Sequence, residues 1–165
     1  MAKEKEIKWK PFWVILRLVT GFVFLWAFLD KVFGLGFSTA HSKAWIFGGS
    51  PTKGFLSSTS GIFSGFFHTL ASSNFVAWLF MLGLLFIGLT FILGIGMRLG
   101  AIAGTAMVFL MWLSLFPSSN NPLIDDHWFY AFAMIASVLN KSGNYFGFGK
   151  WWSKINFVKE YPIFE

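Results

Sequence analysis

The run Phe12 to Phe33, FWVILRLVTGFVFLWAFLDKVF, constrains this chain more than any other stretch. At about 1.5 Å rise per residue a helix over it would reach roughly 33 Å, enough to cross a hydrocarbon core of about 30 Å. No charge falls between Arg17 and Asp30, Arg17 lies more than a turn inside the start, and Asp30 and Lys31 close the far end. Gly21 follows Arg17 by one turn on the same face. The segment therefore predicts a membrane helix with polar ends. A lysine-rich Met1 to Lys10 precedes it and Ser38-Thr39-Ala40 loosely fits a cleavage site. The apolar run nevertheless exceeds the roughly 7 to 15 residues of a signal-peptide core, so it reads as a retained span.

Two further runs are as apolar. Phe75 to Gly96 and Leu99 to Phe116 are joined only by Met97 and Arg98, and a connection that short makes the two helices antiparallel neighbours. Gly83, Ile87, Thr90 and Gly94 share one face, while Gly96, Gly100 and Gly104 recur every fourth residue on the next helix, the small-residue spacing that lets membrane helices approach closely. Mean hydropathy is +0.65 and 56% of residues are hydrophobic, beyond the roughly 45–50% of soluble domains. Residues 1–165 read as one membrane domain. The 23 Phe and 9 Trp suit interfacial belts or the lining of an aromatic cavity. The absence of cysteine excludes thiolate metal sites, iron–sulfur clusters and covalently attached haem, and no histidine falls within a span to ligate haem between helices.

Between the first two spans, residues 34–73 are too polar to cross a membrane and too aromatic for a linker, which predicts an ordered outer cap. Within it, Trp45 to Phe55 (WIFGGSPTKGF) has the composition of a tight turn, which either is only that or offers backbone N–H groups to an anion. Ile62, Phe63, Phe66, Phe67 and Leu70 oppose Ser64, Gly65, His68 and Thr69, predicting a short amphipathic helix that lies in the interface or re-enters it. Phe116 to Pro122 (FPSSNNP) breaks the third span. A fourth is expected over about 126–146, with Asp126 near the outer boundary and Lys141 snorkelling. The tail, with Lys150, Trp151, Trp152, Lys154 and Lys159, reads as a basic aromatic anchor. With both termini in the cytoplasm, Lys3, Lys5, Lys8, Lys10, Arg17, Arg98, Lys141, Lys150, Lys154 and Lys159 are inside and only Lys31, Lys43 and Lys53 outside, as positive-inside bias requires. The expected fold is thus an all-α integral membrane protein of the cell membrane, a four-transmembrane-helix bundle with spans at about 12–33, 75–96, 99–116 and 126–146 and an extracytoplasmic cap.

The segments RLVTGFVFLWAFLDKVFGLGF, GGSPTKGFL, GLLFIGLTFILGIGMRLGAIAG and NPLIDDHWFYA together resemble the DoxX/DoxD family of small four-helix membrane proteins, over roughly residues 12 to 140. The resemblance implies the membrane subunit of a thiosulfate:quinone oxidoreductase, which forms tetrathionate, with a second redox subunit as partner and quinone as cofactor. It carries no universal catalytic signature to transfer. Two other classes stay open: a non-catalytic scaffold that holds a redox protein at the membrane, and a small-solute transporter, for which the spans supply few polar groups beyond Thr20, Thr90, Thr105 and Ser114.

Within that frame Arg17 either snorkels to the cytoplasmic interface or pairs with a quinone carbonyl or an anion, since an arginine central in a span costs about 2.5–3.5 kcal/mol on insertion scales. Trp26 is assigned with it to the cofactor, although Trp13, Trp26, Trp45, Trp78, Trp112 and Trp128 serve equally as belt or packing residues. Asp30, Asp126 and His127, at the outer boundary, are the candidate catalytic groups for proton uptake and release. Asp30 could instead pair with Lys31 or Lys43, and Asp125 and Asp126 could cap a helix start. Lys31, Lys43 and Lys53 are the candidate substrate residues, drawing in a sulfur oxyanion. His41, His68 and His127 lack any diagnostic metal spacing, so no metal is expected. The partners expected are the lipid bilayer and a redox subunit, with a second copy of the chain left open. Nucleic acid is not expected, because the net charge of +6 is concentrated at the termini.

Overall fold

The computed structural model describes residues 2–119 and 121–165. It is 72% helix, with no strand among the described residues. Helices α1 (Ala2–Phe33), α4 (Asn74–Leu93) and α5 (Met97–Leu115) are the long ones. Between α1 and α4 lie two 3₁₀ turns and the short helices α2 (Lys53–Ser58) and α3 (Ser64–Leu70). After α5 come α6 (Asp126–Leu139), α7 (Gly149–Trp152) and α8 (Asn156–Glu160).

Three helical stretches are long and apolar enough to cross a membrane: Trp9–Phe33, Asn74–Leu93 and Met97–Leu115. Only 28%, 39% and 28% of them is buried against protein. The outward faces carry Val19, Phe22, Leu79, Phe86, Ile102 and Leu110, all exposed. A soluble protein does not present such continuous apolar surface, whereas hydrocarbon solvates it, so the chain is a membrane protein.

Two expected boundaries are corrected. The turn between the second and third apolar helices lies at Gly94 to Gly96 rather than at Met97-Arg98, because α4 ends where Gly94 adopts the left-handed conformation (φ +73°) that closes a helix at no steric cost. The fourth helix stops at Leu139 rather than continuing to 146. Asn140 caps it, Lys141 turns left-handed (φ +47°), and Ser142 donates its hydroxyl back to Ser137 O at 3.0 Å. At 14 residues, α6 is about 21 Å long, short of a hydrocarbon core of about 30 Å. The leader is also part of α1, which continues through the exposed Pro11. The leader's Met1 and the side chains of Lys3, Lys5 and Lys8 lie outside the described residues, as does Asn120 of the breaker.

The core lies where α1, α4, α5 and α6 meet, around Phe24, Met81, Ile87, Phe91, Val108 and Met134. Helix α1 packs chiefly on α4. A β-carbon on Gly21 would meet Ile92 N at 2.9 Å, and one on Gly88 would meet the Leu25 backbone N at 2.8 Å, so the α1–α4 crossing depends on both missing side chains. The cap is a second, smaller layer, with Leu56 and Phe67 packed over Val76 and Leu113. It is joined to the end of α5 by the hydrogen bond from Ile62 N to Phe116 O (2.9 Å) and to α4 by Trp45 packed edge-on against Trp78 at 4.5 Å. The expected amphipathic helix forms as α3, where Phe67 is buried while Ile62, Phe63 and Phe66 stay exposed.

The Gly88→Ala variant is expected to lose about 1–3 kcal/mol of stability through backbone overpacking. Gly65→Ala, in the exposed face of α3 with nothing within 4 Å, should be neutral or gain up to about 1 kcal/mol. Thermal unfolding of the two purified variants in detergent checks the contrast.

Candidate functional site

Arg17 has no exposed surface. Its Nη1 donates to Phe91 O (2.6 Å) and Ile92 O (3.1 Å), and its Nη2 donates to Phe146 O. The first two carbonyls belong to the last turn of α4, which has no intrahelical donors left for them. The guanidinium is therefore taken up by the protein's own carbonyls and does not line the cavity described below. Its remaining donor, Nε, is buried without a partner among the described residues.

Asp30 is 1% exposed and closes the other end of α1. Its Oδ1 accepts from Phe37 N (3.2 Å), and its Oδ2 accepts from Ser38 N (3.0 Å) and the Ser38 hydroxyl (2.7 Å). The carboxylate thus folds the first cap turn back onto the helix that carries it. Among the described residues no ion pair of Asp30 with Lys31 or Lys43 is formed. Trp26 lies half-buried between Phe22 (5.8 Å, stacked) and Phe37 (5.1 Å, edge-on), on the same loop that Asp30 holds.

At the start of α6, Asp125 accepts from His127 N (3.1 Å) as the N-cap, and its Oδ2 accepts from His127 Nδ1 (2.9 Å). The alternative of helix capping is thereby realised by Asp125. Asp126 is largely exposed and 3.7 Å from His127 Nδ1. These three side chains offer ligand atoms within 4.8 Å of one another, but Asp125 is already engaged by the cap and the imidazole. No hydrogen bond or ion pair among the described residues connects this cluster with Asp30.

Lys31 has a different setting. It lines a cavity of about 460 Å³ between the end of α1, the cap, α4 and α5, within the roughly 300–1,000 Å³ of small-molecule sites. Its walls are apolar: Phe55, Leu56 and Phe67 from the cap, Leu79 and Phe80 from α4, Met107 and Leu110 from α5. Gly83, Ala103 and Ala106 make room where α4 and α5 face one another. Phe55, Leu79 and Leu110 are also exposed on the outer surface, so the cavity opens towards the lipid.

Three polar side chains join these walls. Lys31 is half-buried. Thr52 is 5% exposed, and its Oγ1 is buried with no hydrogen-bond partner among the described residues. Ser114, fully buried, donates to Met111 O (2.7 Å) and keeps its lone pairs. A buried hydroxyl without a partner costs about 1–3 kcal/mol unless something hydrogen-bonds to it. Lys43 and Lys53 are exposed and do not line this cavity.

The surrounding loop is a turn, with Gly48 N donating to Trp45 O (3.0 Å), Gly49 N to Ala44 O (3.1 Å) and Lys53 N to the Ser50 hydroxyl (3.2 Å). Those N–H groups are thereby committed within the protein. Sequence reasoning missed Thr52 and Ser114 as members of one site. The only linear signal was a hydroxyl inside the GGSPTKG turn and another near the end of a span, more than sixty positions apart.

Comparison of the chain with family models, with curated proteins and with solved structures finds no match.

Replacing Arg17 by Gln should destabilise the detergent-solubilised protein by on the order of 3 kcal/mol or more, since buried carbonyls lose a charged donor. Lys in its place should recover only part of this, because one ammonium lacks the fork of a guanidinium. An unchanged melting temperature for Arg17→Gln would show that the three carbonyls are satisfied without it.

Proposed function

We propose that this protein is a quinone-binding membrane subunit of an oxidoreductase, with the quinone seated in the cavity beneath the cap. The observation that carries the reading is the pairing of an apolar, lipid-facing cavity of about 460 Å³ with a lysine and an unpartnered buried hydroxyl. A quinone has that division of character, an isoprenoid body and carbonyl oxygens that accept hydrogen bonds. Lys31 and Thr52 would donate to the carbonyls, and Leu79, Met107 and Leu110 would flank the tail. Arg17 and Asp30, whose donors and acceptors hold the fold, take no contact role in this reading, and Asp126 and His127 do not line the cavity.

The resemblance to the DoxX/DoxD family supplies the electron donor in this proposal. Two thiosulfate ions would couple to tetrathionate and release two electrons, which with two protons reduce quinone to quinol. Lys43 and Lys53, exposed on the cap, would collect the sulfur oxyanion, and a second subunit would carry the electrons to the quinone.

The same reading makes α6 a short fourth span, completing a four-helix bundle with both termini in the cytoplasm. It is supported by Lys10, Arg98, Lys141, Lys150, Lys154 and Lys159, which gather at the end where α4 turns into α5. Because the chain has no cysteine, single thiols report sidedness without background. In intact cells a membrane-impermeant maleimide should label Ser58→Cys and spare Lys150→Cys until the membrane is opened. The reverse pattern would invert the topology.

Mass spectrometry of apolar molecules that co-purify in mild detergent tests the site. The wild type should carry quinone near one per chain, and Ala103→Phe, which fills the cavity from α5, should lose most of it while keeping its melting temperature within a few degrees. Only bulk phospholipid in both proteins would remove the quinone reading and favour the scaffold.

A further inference from the structure

A second groove, of about 590 Å³, lies at the opposite end of the bundle from the cap, between the start of the membrane stretch of α1 and the end of α6. Its lining is unlike that of the cavity beneath the cap. Lys10 and Lys141 face it, with Trp9, Trp13, Asn140 and Tyr145 around them, and none of its lining residues among those described is acidic. The Lys10 ammonium stands 4.8 Å from the centre of the Tyr145 ring, a cation–π contact that holds it beside the groove.

The backbone of Lys141 singles this groove out. It follows the cap residue of α6 in the left-handed conformation (φ +47°), and it is the one non-glycine residue with positive φ among those described. Just after α1 and α4 the chain uses Gly34 (φ +62°) and Gly94 (φ +73°) for its left-handed turn, the residue that suits this geometry. A lysine here adopts a conformation that a side chain disfavours. The substitution that would relax the backbone would also remove a positive charge from the groove.

We propose that this groove binds the phosphate of an anionic glycerophospholipid. Lys10 and Lys141 hold the phosphodiester, Asn140 adds a neutral hydrogen-bonding group, and the tryptophans take the headgroup level that their amphipathic rings favour. The acyl chains run along the exposed apolar surface next to the groove, where Phe12, Ile135 and Leu139 present no protein contact on their outer side. That continuity with lipid-facing surface selects a lipid phosphate over a dissolved one. The inference does not depend on the quinone reading, since it concerns different residues at the other end of the bundle.

The test is native mass spectrometry of the full chain in a neutral detergent, with phosphatidylglycerol, phosphatidylcholine and inorganic phosphate as probes. The wild type is expected to retain phosphatidylglycerol about thirtyfold better than phosphatidylcholine, in proportion to two lysines near an anionic headgroup. In the double variant Lys10→Gln, Lys141→Gly that preference should vanish. Lys150→Gln with Lys154→Gln removes the same charge from the same end and should leave the preference intact. Because glycine favours the left-handed conformation, Lys141→Gly alone should melt at or above the wild-type temperature, so that lost binding is not lost folding. Equal retention of the two lipids by the wild type, or undiminished phosphatidylglycerol retention by the double variant, overturns the proposal. Displacement of phosphatidylglycerol by millimolar inorganic phosphate also overturns it, making this a site for a small dissolved oxyanion.

Discussion

A helix that ends packed against protein leaves carbonyl groups that need internal donors, and α4, buried at Thr90, Phe91 and Gly94, ends that way. The protein satisfies all four of its last carbonyls internally. Thr90 O accepts from Gly94 N (2.9 Å) and Ile95 N (3.2 Å), Phe91 O and Ile92 O accept from Arg17, and Leu93 O accepts from Phe148 N (2.9 Å). Arg17 reaches at the same time to Phe146 O, in the segment that follows α6. One guanidinium therefore ties α1, α4 and the chain beyond α6 into a single end of the bundle. The charge that looks costly within a span is the donor that this end requires, and a cation at a helix C-terminus is favoured by the helix dipole as well.

The two ends of the molecule consequently differ in what they can do. At the Arg17 end the guanidinium's two terminal nitrogens are engaged in holding helices together, and the surface beyond is basic and aromatic. At the other end Asp30 fastens the first turn of the cap, and the cap then covers only part of the space over α4 and α5. Small residues on the facing helix surfaces, Gly83 on one side and Ala103 and Ala106 on the other, leave a cavity beneath it. Lys31 follows Asp30 by one position and has the opposite fate. The carboxylate turns into the loop, while Lys31 lines the cavity. The side chain with its hydrogen bonds already made is structural, and the one without them is available to a ligand.

Much of the helical architecture was readable along the chain because a membrane span is written as an uninterrupted apolar run. The three long helices were expected from that signal, and the cap between the first two from a stretch too polar to span and too aromatic for a linker. Boundaries were less accessible. The turn after α4 depends on which glycine takes positive φ, and the short α6 depends on Lys141 adopting a conformation that no linear pattern announces. The α4–α5 packing was anticipated from glycine spacing, but the closer crossing, α1 on α4 through Gly21 and Gly88, was not. Gly21 is the one glycine of α1, and Gly88 stands five positions from Gly83 in α4, a spacing that repeats no helical turn.

The amino-acid sequence by itself determined the class of solvent this protein meets: its apolar runs are too long, too numerous and too free of charge for water to accept. It also determined which chemistries are absent from the chain, since no thiol exists to perform them. Only the tertiary structure decided which polar residues are occupied. Arg17, Asp30 and His127 were candidates on equal footing with Lys31 until distances showed the first three bonded to backbone or to a helix cap, and Thr52 joined Lys31 only once the cap was folded over α4 and α5. The physical reason is that a side chain's reactivity depends on whether its hydrogen bonds and charge are already satisfied by its neighbours. Those neighbours are brought together by packing across scores of residues, a property that no local pattern encodes.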